Sequence, residues 1–183
     1  MTTQGGSALS DSSTWVRHEA DIRRCRSGID GDRRLRLEEL LGSYRAVKTA
    51  MDAVTARVSG AAVCRDCGGL CCMNGKYRLS GMDVLAVLST GVPLPEPRFE
   101  RKPDCPYGDE QGCRFIPEFR PASCIQFICE QLESRLSPAE TEELERLETV
   151  MRGLARECAG LTGLALESPF LLMPKILCPA NTA

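Results

Sequence analysis

The chain has 183 residues, a formal charge of −2 and 43% apolar residues. That is enough for one ordinary domain with its own core, and the acidic balance argues against a nucleic-acid binder working by bulk positive charge. Aromatic residues are only 5%, which sets the expectation of a mainly aliphatic core, while eleven cysteines against one histidine mark a disulfide scaffold, a metal site or thiol redox chemistry.

Residues 1–14 are rich in Ser, Thr and Gly with little to bury, and read as a disordered tail ahead of a single helical domain over 15–183. The opening residues Met1-Thr2-Thr3-Gln4-Gly5-Gly6-Ser7 have neither the positive nor the apolar region of a secretory signal. No run approaches the roughly 18 apolar residues of a membrane span. The expectation is therefore a cytoplasmic protein without a membrane partner, its cysteines kept as thiols by a reducing compartment. Residues 15–32 are polar and arginine-rich, and read as partly helical. The basic run from Arg17 to Arg36 is diluted by Glu19, Asp21, Asp30 and Asp32 and reads as a solvated, partly paired surface, with His18 solvated as well.

Leu37, Leu40, Tyr44, Val47, Met51, Val54 and Val58 alternate spacings of 3 and 4, which predicts an amphipathic helix over about 33–58, capped by Asp32 and stopped at Gly60. Residues 81–90 read as a short apolar helix. Residues 91–118 hold six prolines and no helical period, and Pro121 opens a helix over 122–134. Leu144, Leu147, Met151, Leu154, Cys158 and Leu161 form a second stripe over about 138–160. Ser137, Pro138 and Glu140 supply its N-cap, first-turn proline and capping-box glutamate. The two stripes can bury each other, bury a second copy, or dock a protein partner; an antiparallel pair fits the chain path. The fold class is mainly α, with these two helices flanking an irregular Cys-rich centre at about 60–130.

That centre carries the chemistry. It reads Cys64-Arg65-Asp66-Cys67-Gly68-Gly69-Leu70-Cys71-Cys72, followed by Cys105, Cys113, Cys124 and Cys129. The two-residue gap lets Cys64 and Cys67 face one ion, and Gly68-Gly69 permits the loop to fold back over it. The adjacent Cys71 and Cys72 diverge in most backbone conformations, so they serve different ions or different corners of a cluster. Between Cys64 and Cys129, eight Lys and Arg balance eight Asp and Glu, so no surplus positive charge offsets packed thiolates. Eight such thiolates either stay protonated or are neutralised by metal. Without histidine among them, the set suits zinc or iron–sulfur chemistry. The absence of a second two-residue knuckle tilts the choice slightly toward iron–sulfur. Arg114 and Arg120, close by in sequence, are candidate donors to sulfur or ordinary surface residues. Cys25, Cys158 and Cys178 stand apart.

The pattern Cys64-x2-Cys67-x3-Cys71-Cys72, Cys105-Pro106, Gly112-Cys113 and Arg120-Pro121-x2-Cys124-x4-Cys129 resembles the YkgJ-type cysteine-cluster family, described as a zinc- or iron-chelating domain. The likeness covers about residues 60–130 and does not extend to the two long helices. The same domain occurs in flagellin lysine methylases, which implies cluster-assisted methyl transfer there; this chain is short for that whole enzyme. Three functions follow as expectations. The first is an iron–sulfur, iron or zinc protein in redox or metal handling. The second is a structural zinc module for protein interaction, and the third a cluster-dependent enzyme or enzyme component. With one histidine, the chain lacks Ser-His-Asp, Cys-His and histidine-based zinc hydrolase sites. The tail from Phe170 to Leu177 is expected to pack back on the body.

Overall fold

A computed structural model describes residues 5–66, 70–101, 105–109, 112–174 and 178. The protein is mainly helical, with seven α-helices and one two-stranded hairpin among the described residues. α1 spans Gly5–Ser27, α2 Gly31–Arg57, α3 Gly60–Asp66, α4 Gly81–Leu88, α5 Ala122–Gln126, α6 Glu130–Glu133 and α7 Pro138–Thr162; β1 is Gly108–Asp109 and β2 Gly112–Cys113. No helix of the described residues is long and apolar enough to cross a membrane.

The two long helices pack against each other as an antiparallel pair. Arg33 and Arg36 at the start of α2 reach the Leu161 carbonyl and Glu157 at the end of α7, and Arg57 at the end of α2 meets Glu143 near the start of α7 at 2.9 Å. The seams are therefore spent on one another. Leu37, Leu40, Tyr44, Met51 and Val54 are buried on α2, and Leu144, Leu147, Met151 and Cys158 on α7. The buried stripe drifts off the strict spacing to Leu41 and Lys48 on α2 and to Ala155 and Thr162 on α7. A straight helix turns every 3.6 residues, not 3.5, and so it slips out of a seven-residue repeat.

The ends of these helices test local chemistry. α7 starts as expected, with the reciprocal bonds of a capping box between Ser137 and Glu140, and ends at Gly163 in the left-handed region. α2 starts two residues early, with Asp30 rather than Asp32 at the N-cap. Its C-cap is Val58, and Gly60 opens α3 instead of closing α2, because Ser59 takes the left-handed turn (φ 61°).

α4 is buried on every side, as its apolar sequence requires, and the core forms around it. The C-terminal segment crosses one end. Met82 and Gly81 donate backbone bonds to the Leu166 and Ser168 carbonyls, and Phe170 donates to Leu79. Phe170, Leu171 and Met173 are buried there, so this part of the tail does pack back; residues 175–177 lie outside the described residues.

Three expectations are corrected. Residues 5–14, read as an unstructured tail, begin α1, and residues 1–4 lie outside the described residues. The core is mainly aliphatic, as the composition implies, but it also takes in seven of the nine aromatic residues, with Trp15 at 4.8 Å from Phe170 and 5.8 Å from Tyr107 between ring centroids. His18 is not solvated; it is 4% exposed and its Nδ1–H donates to the Phe170 carbonyl at 2.8 Å. The helix expected over 122–134 is two short helices, separated by extended backbone at Phe127 and Cys129.

Cys25 on α1 and Cys178, expected as separate thiols, are joined in a disulfide spanning 153 residues. Closing so long a loop restricts the unfolded chain far more than the folded one. Around α1 the arginines are paired as the sequence suggests, Arg23 with Glu19, Arg24 with Asp21 and Arg26 with Glu38.

Candidate metal centre

The structure describes the side chains of six of the eight candidate cysteines, each on a different segment. Cys64 lies exposed on α3; Cys72 is exposed in the 3-10 stretch Leu70–Tyr77; Cys105 is half-buried in the loop before β1. Cys113 is exposed on β2, Cys124 half-buried on α5, and Cys129 half-buried as the N-cap of α6. Cys67 and the side chain of Cys71 lie outside the described residues.

Cys124 is the centre of one grouping. Burial pushes its thiol well above the ordinary range, and the charges of Cys113, Cys105, Asp83 and Cys72 push it further. Cys105 is raised by burial too, with Cys113 adding to the shift. The backbone N–H groups of Tyr107 and Gly108, together with Arg101, act in the opposite direction. Cys72, Cys105 and Cys113 thus come from separate parts of the sequence into electrostatic reach of Cys124. The turn after Cys72 is laid directly against Cys105: a Cβ on Gly75 would stand 2.6 Å from the Cys105 Cβ. Only glycine permits that approach.

A second relationship involves Cys64 and Cys129. α3 packs against α6, which places the helix bearing Cys64 beside the helix that Cys129 caps. The break between α5 and α6 makes this possible, since a continuous helix over 122–134 would hold Cys124 and Cys129 in fixed helical register.

Among the described residues, no group of three or more His, Cys, Asp or Glu side chains is already arranged to hold a metal ion. Among the described residues, the side-chain bonds of Arg114 and Arg120 go to oxygen rather than to sulfur. Arg114 bonds the Glu96 carbonyl at 2.7 Å, and Arg120 bonds Asp52 on α2 at 2.9 Å.

Two features escape the sequence. The first is a buried polar hub beside the cysteines. Asp83 on α4 accepts from Lys48 (2.9 Å), Tyr44 (3.1 Å) and the Ala122 backbone N–H (3.1 Å) through one oxygen, and from the Ser80 hydroxyl and N–H through the other. Burial, then the Asp83 charge, holds the Tyr44 phenol far above its usual value. Through Ala122 the hub fixes the start of α5, and with it Cys124. Part of the signal was present. Ser80-x2-Asp83 before an apolar run is a capping-box pattern, and Lys48 follows Tyr44 by one helical turn on the buried face. The second feature is Tyr107, 2% exposed, whose hydroxyl has no hydrogen-bond partner among the described residues. Burial raises its phenol first, and the charges of Cys105, Cys124 and Asp11 raise it further. A buried donor without an acceptor is destabilising, by about 1–3 kcal/mol. A thiolate or a metal-bound group beside Cys105 and Cys124 would supply the acceptor.

No family model, curated protein or solved structure matches the chain.

Proposed function

We propose that the protein is a metal–thiolate protein. Its eight cysteines act as two sets of four, Cys72, Cys105, Cys113 and Cys124 in one, and Cys64, Cys67, Cys71 and Cys129 in the other. The observation that supports this reading is that Cys72, Cys105 and Cys113 all act electrostatically on the half-buried Cys124, with the Gly75 turn laid against Cys105. The donors fit a metal. Buried thiols held above their ordinary pKa stay protonated without a cation, and a bound cation converts them to ligands. Backbone N–H groups at Cys105 and the unsatisfied Tyr107 hydroxyl provide the hydrogen bonds that metal-bound sulfur accepts. The likeness to the YkgJ-type pattern rests on the same eight residues. Cys67 and Cys71 enter the second set through their sequence spacing to Cys64.

An iron–sulfur cluster used in redox or metal handling is the first reading of the occupant. All ligands are sulfur, and the spacings lack the paired knuckles of zinc ribbons. Zinc is the second reading, favoured by the division into fours, the ligand number of a closed tetrahedral site. A zinc module that docks a partner through its heptad faces loses support, because those faces pack against each other.

The test is metal and acid-labile sulfide analysis, with a visible spectrum, on protein purified without oxygen or added metal. Iron with sulfide and visible absorption supports the first reading. Two colourless zinc per chain supports the second. Folded protein without metal, and without uptake of either, refutes both.

A further inference from the structure

A cavity of about 460 Å³ lies between α4, α5, α7 and the C-terminal segment, independent of any metal. Its volume is in the range of small-molecule sites. Met82, Met151, Ala122, Ala155 and Pro169 give it an apolar floor. The Tyr44 and Ser80 hydroxyls also face it, but both already donate to Asp83 and are held in place.

Two guanidinium groups border this floor. Arg152 is paired with Glu148. Arg78 has no carboxylate partner among the described residues. Its guanidinium instead lies over the Phe127 ring at 5.3 Å, and its backbone carbonyl accepts from the Ser123 hydroxyl at 2.8 Å. Stacking restricts the guanidinium plane and leaves its edge donors unused, which is how an arginine is prepared for a planar anion. Glu167 also borders the cavity and has no ion-pair partner among the described residues; Arg78 and Glu167 do not close on each other.

We propose that this cavity binds a small carboxylate with an apolar body, its carboxylate on the Arg78 fork and its hydrocarbon on the methionine and alanine floor. An anion without an apolar body leaves the floor wet, and a neutral or cationic amphiphile leaves the fork unused.

The test is calorimetric titration of the full chain, as purified, with hexanoate, hexan-1-ol and hexylamine. Saturable binding of hexanoate, at least about tenfold tighter than hexan-1-ol and with hexylamine weaker than either, is expected from one charge-assisted pair. Arg78→Met should lower hexanoate affinity by about tenfold or more, while helical content and metal content stay unchanged. Arg78→Lys should restore part of it, and Glu167→Gln should tighten it. Equal affinity for acid and alcohol, or no saturable binding of hexanoate, would overturn the proposal on the wild-type chain alone, whether or not the variants fold. An Arg78→Met variant that folds and binds hexanoate as tightly as wild type would overturn it as well.

Discussion

The Lys48 ammonium and the Asp83 carboxylate meet at 2.9 Å with side-chain exposures of 1% and 0%. Removing either partner leaves the other as an uncompensated buried charge. Lys48→Met and Asp83→Asn should each lower the unfolding free energy by about 3 kcal/mol or more, measured by urea titration. The double variant should lose less than the sum of the two, because the pair is coupled. Asp83→Asn should also loosen metal retention, since Asp83 anchors the Ala122 N–H at the start of the helix that carries Cys124.

The division of the cysteines makes a stoichiometric claim. Cys124→Ser should empty one set and Cys64→Ser the other, each lowering metal per chain by about half relative to wild type. Cys158→Ala should leave metal content unchanged, because Cys158 is buried on α7, the helix that packs against α2, and stands apart from the eight candidate ligands in sequence. Elemental analysis of the purified variants decides it. If Cys124→Ser retains full metal content, the proposed first set is wrong.

Metal binding should be pH-linked. Burial, with neighbouring thiolates, raises Cys105 and Cys124 above the ordinary 9.0, so each must release a proton to bind metal. Affinity should therefore climb from about pH 6 to pH 9, with proton release in buffers of different ionisation enthalpy. In the metal-free protein the sign reverses. A raised thiol pKa favours the folded state at low pH, and that stability is lost as pH rises past the unfolded value. Cys158, pushed up to about 12 by burial first and then by Glu157, acts in the same direction. The unfolding free energy of metal-free protein should hold below about pH 9 and fall between about pH 9 and 12.

Gly75→Ala is a steric test of the same centre. The added methyl would meet the Cys105 side chain at 2.6 Å from its Cβ, so the 3-10 stretch must move away. Overpacking of this kind destabilises by about 1–3 kcal/mol, and a displaced Cys72 should release its metal to a chelator faster than wild type. A stopped-flow chelation assay measures the second effect.

The bond between Cys25 and Cys178 holds the C-terminal segment to α1 across 153 residues. Cys178→Ser should lower stability by about 2–4 kcal/mol, and thermal unfolding of that variant should no longer respond to reductant, whereas wild type should.

The long helices were legible because their signals are local. Stripes at 3–4 spacing and the Ser137–Glu140 cap depend on residues a turn apart, and α7 begins where they place it. The short α4 was legible from its unbroken apolar run. The α5–α6 break was not: Phe127-Ile128-Cys129 contains neither Gly nor Pro, and it is the packing of Arg78 over Phe127 and of α3 on α6 that accompanies the extended backbone there. His18 and Trp15 were hidden for a similar reason, since their partner Phe170 lies more than 150 residues away in sequence. Of the candidate site, the residue types and spacings pointed to metal. The grouping around Cys124 needed tertiary structure, because Cys72 and Cys105 are separated by 32 residues whose path no local rule sets.

The antiparallel pair of α2 and α7 has a consequence for how ligands are gathered. Arg57 and Glu143 pin together the ends of the intervening chain, residues 58–137, and all eight candidate cysteines lie inside that stretch. Drawing the ends of a free segment of this length together carries an entropic penalty of about 4 kcal/mol plus a constant. Hydrophobic contact between the helices meets it before any ion arrives. With α4 already fixed in the core, the cysteines are then confined to short segments tethered on either side of it at high effective concentration, so the ion has to order only those segments. Stripping the metal should accordingly loosen the cysteine-bearing segments while leaving α4, the α2–α7 pair and most of the far-ultraviolet helical signal in place.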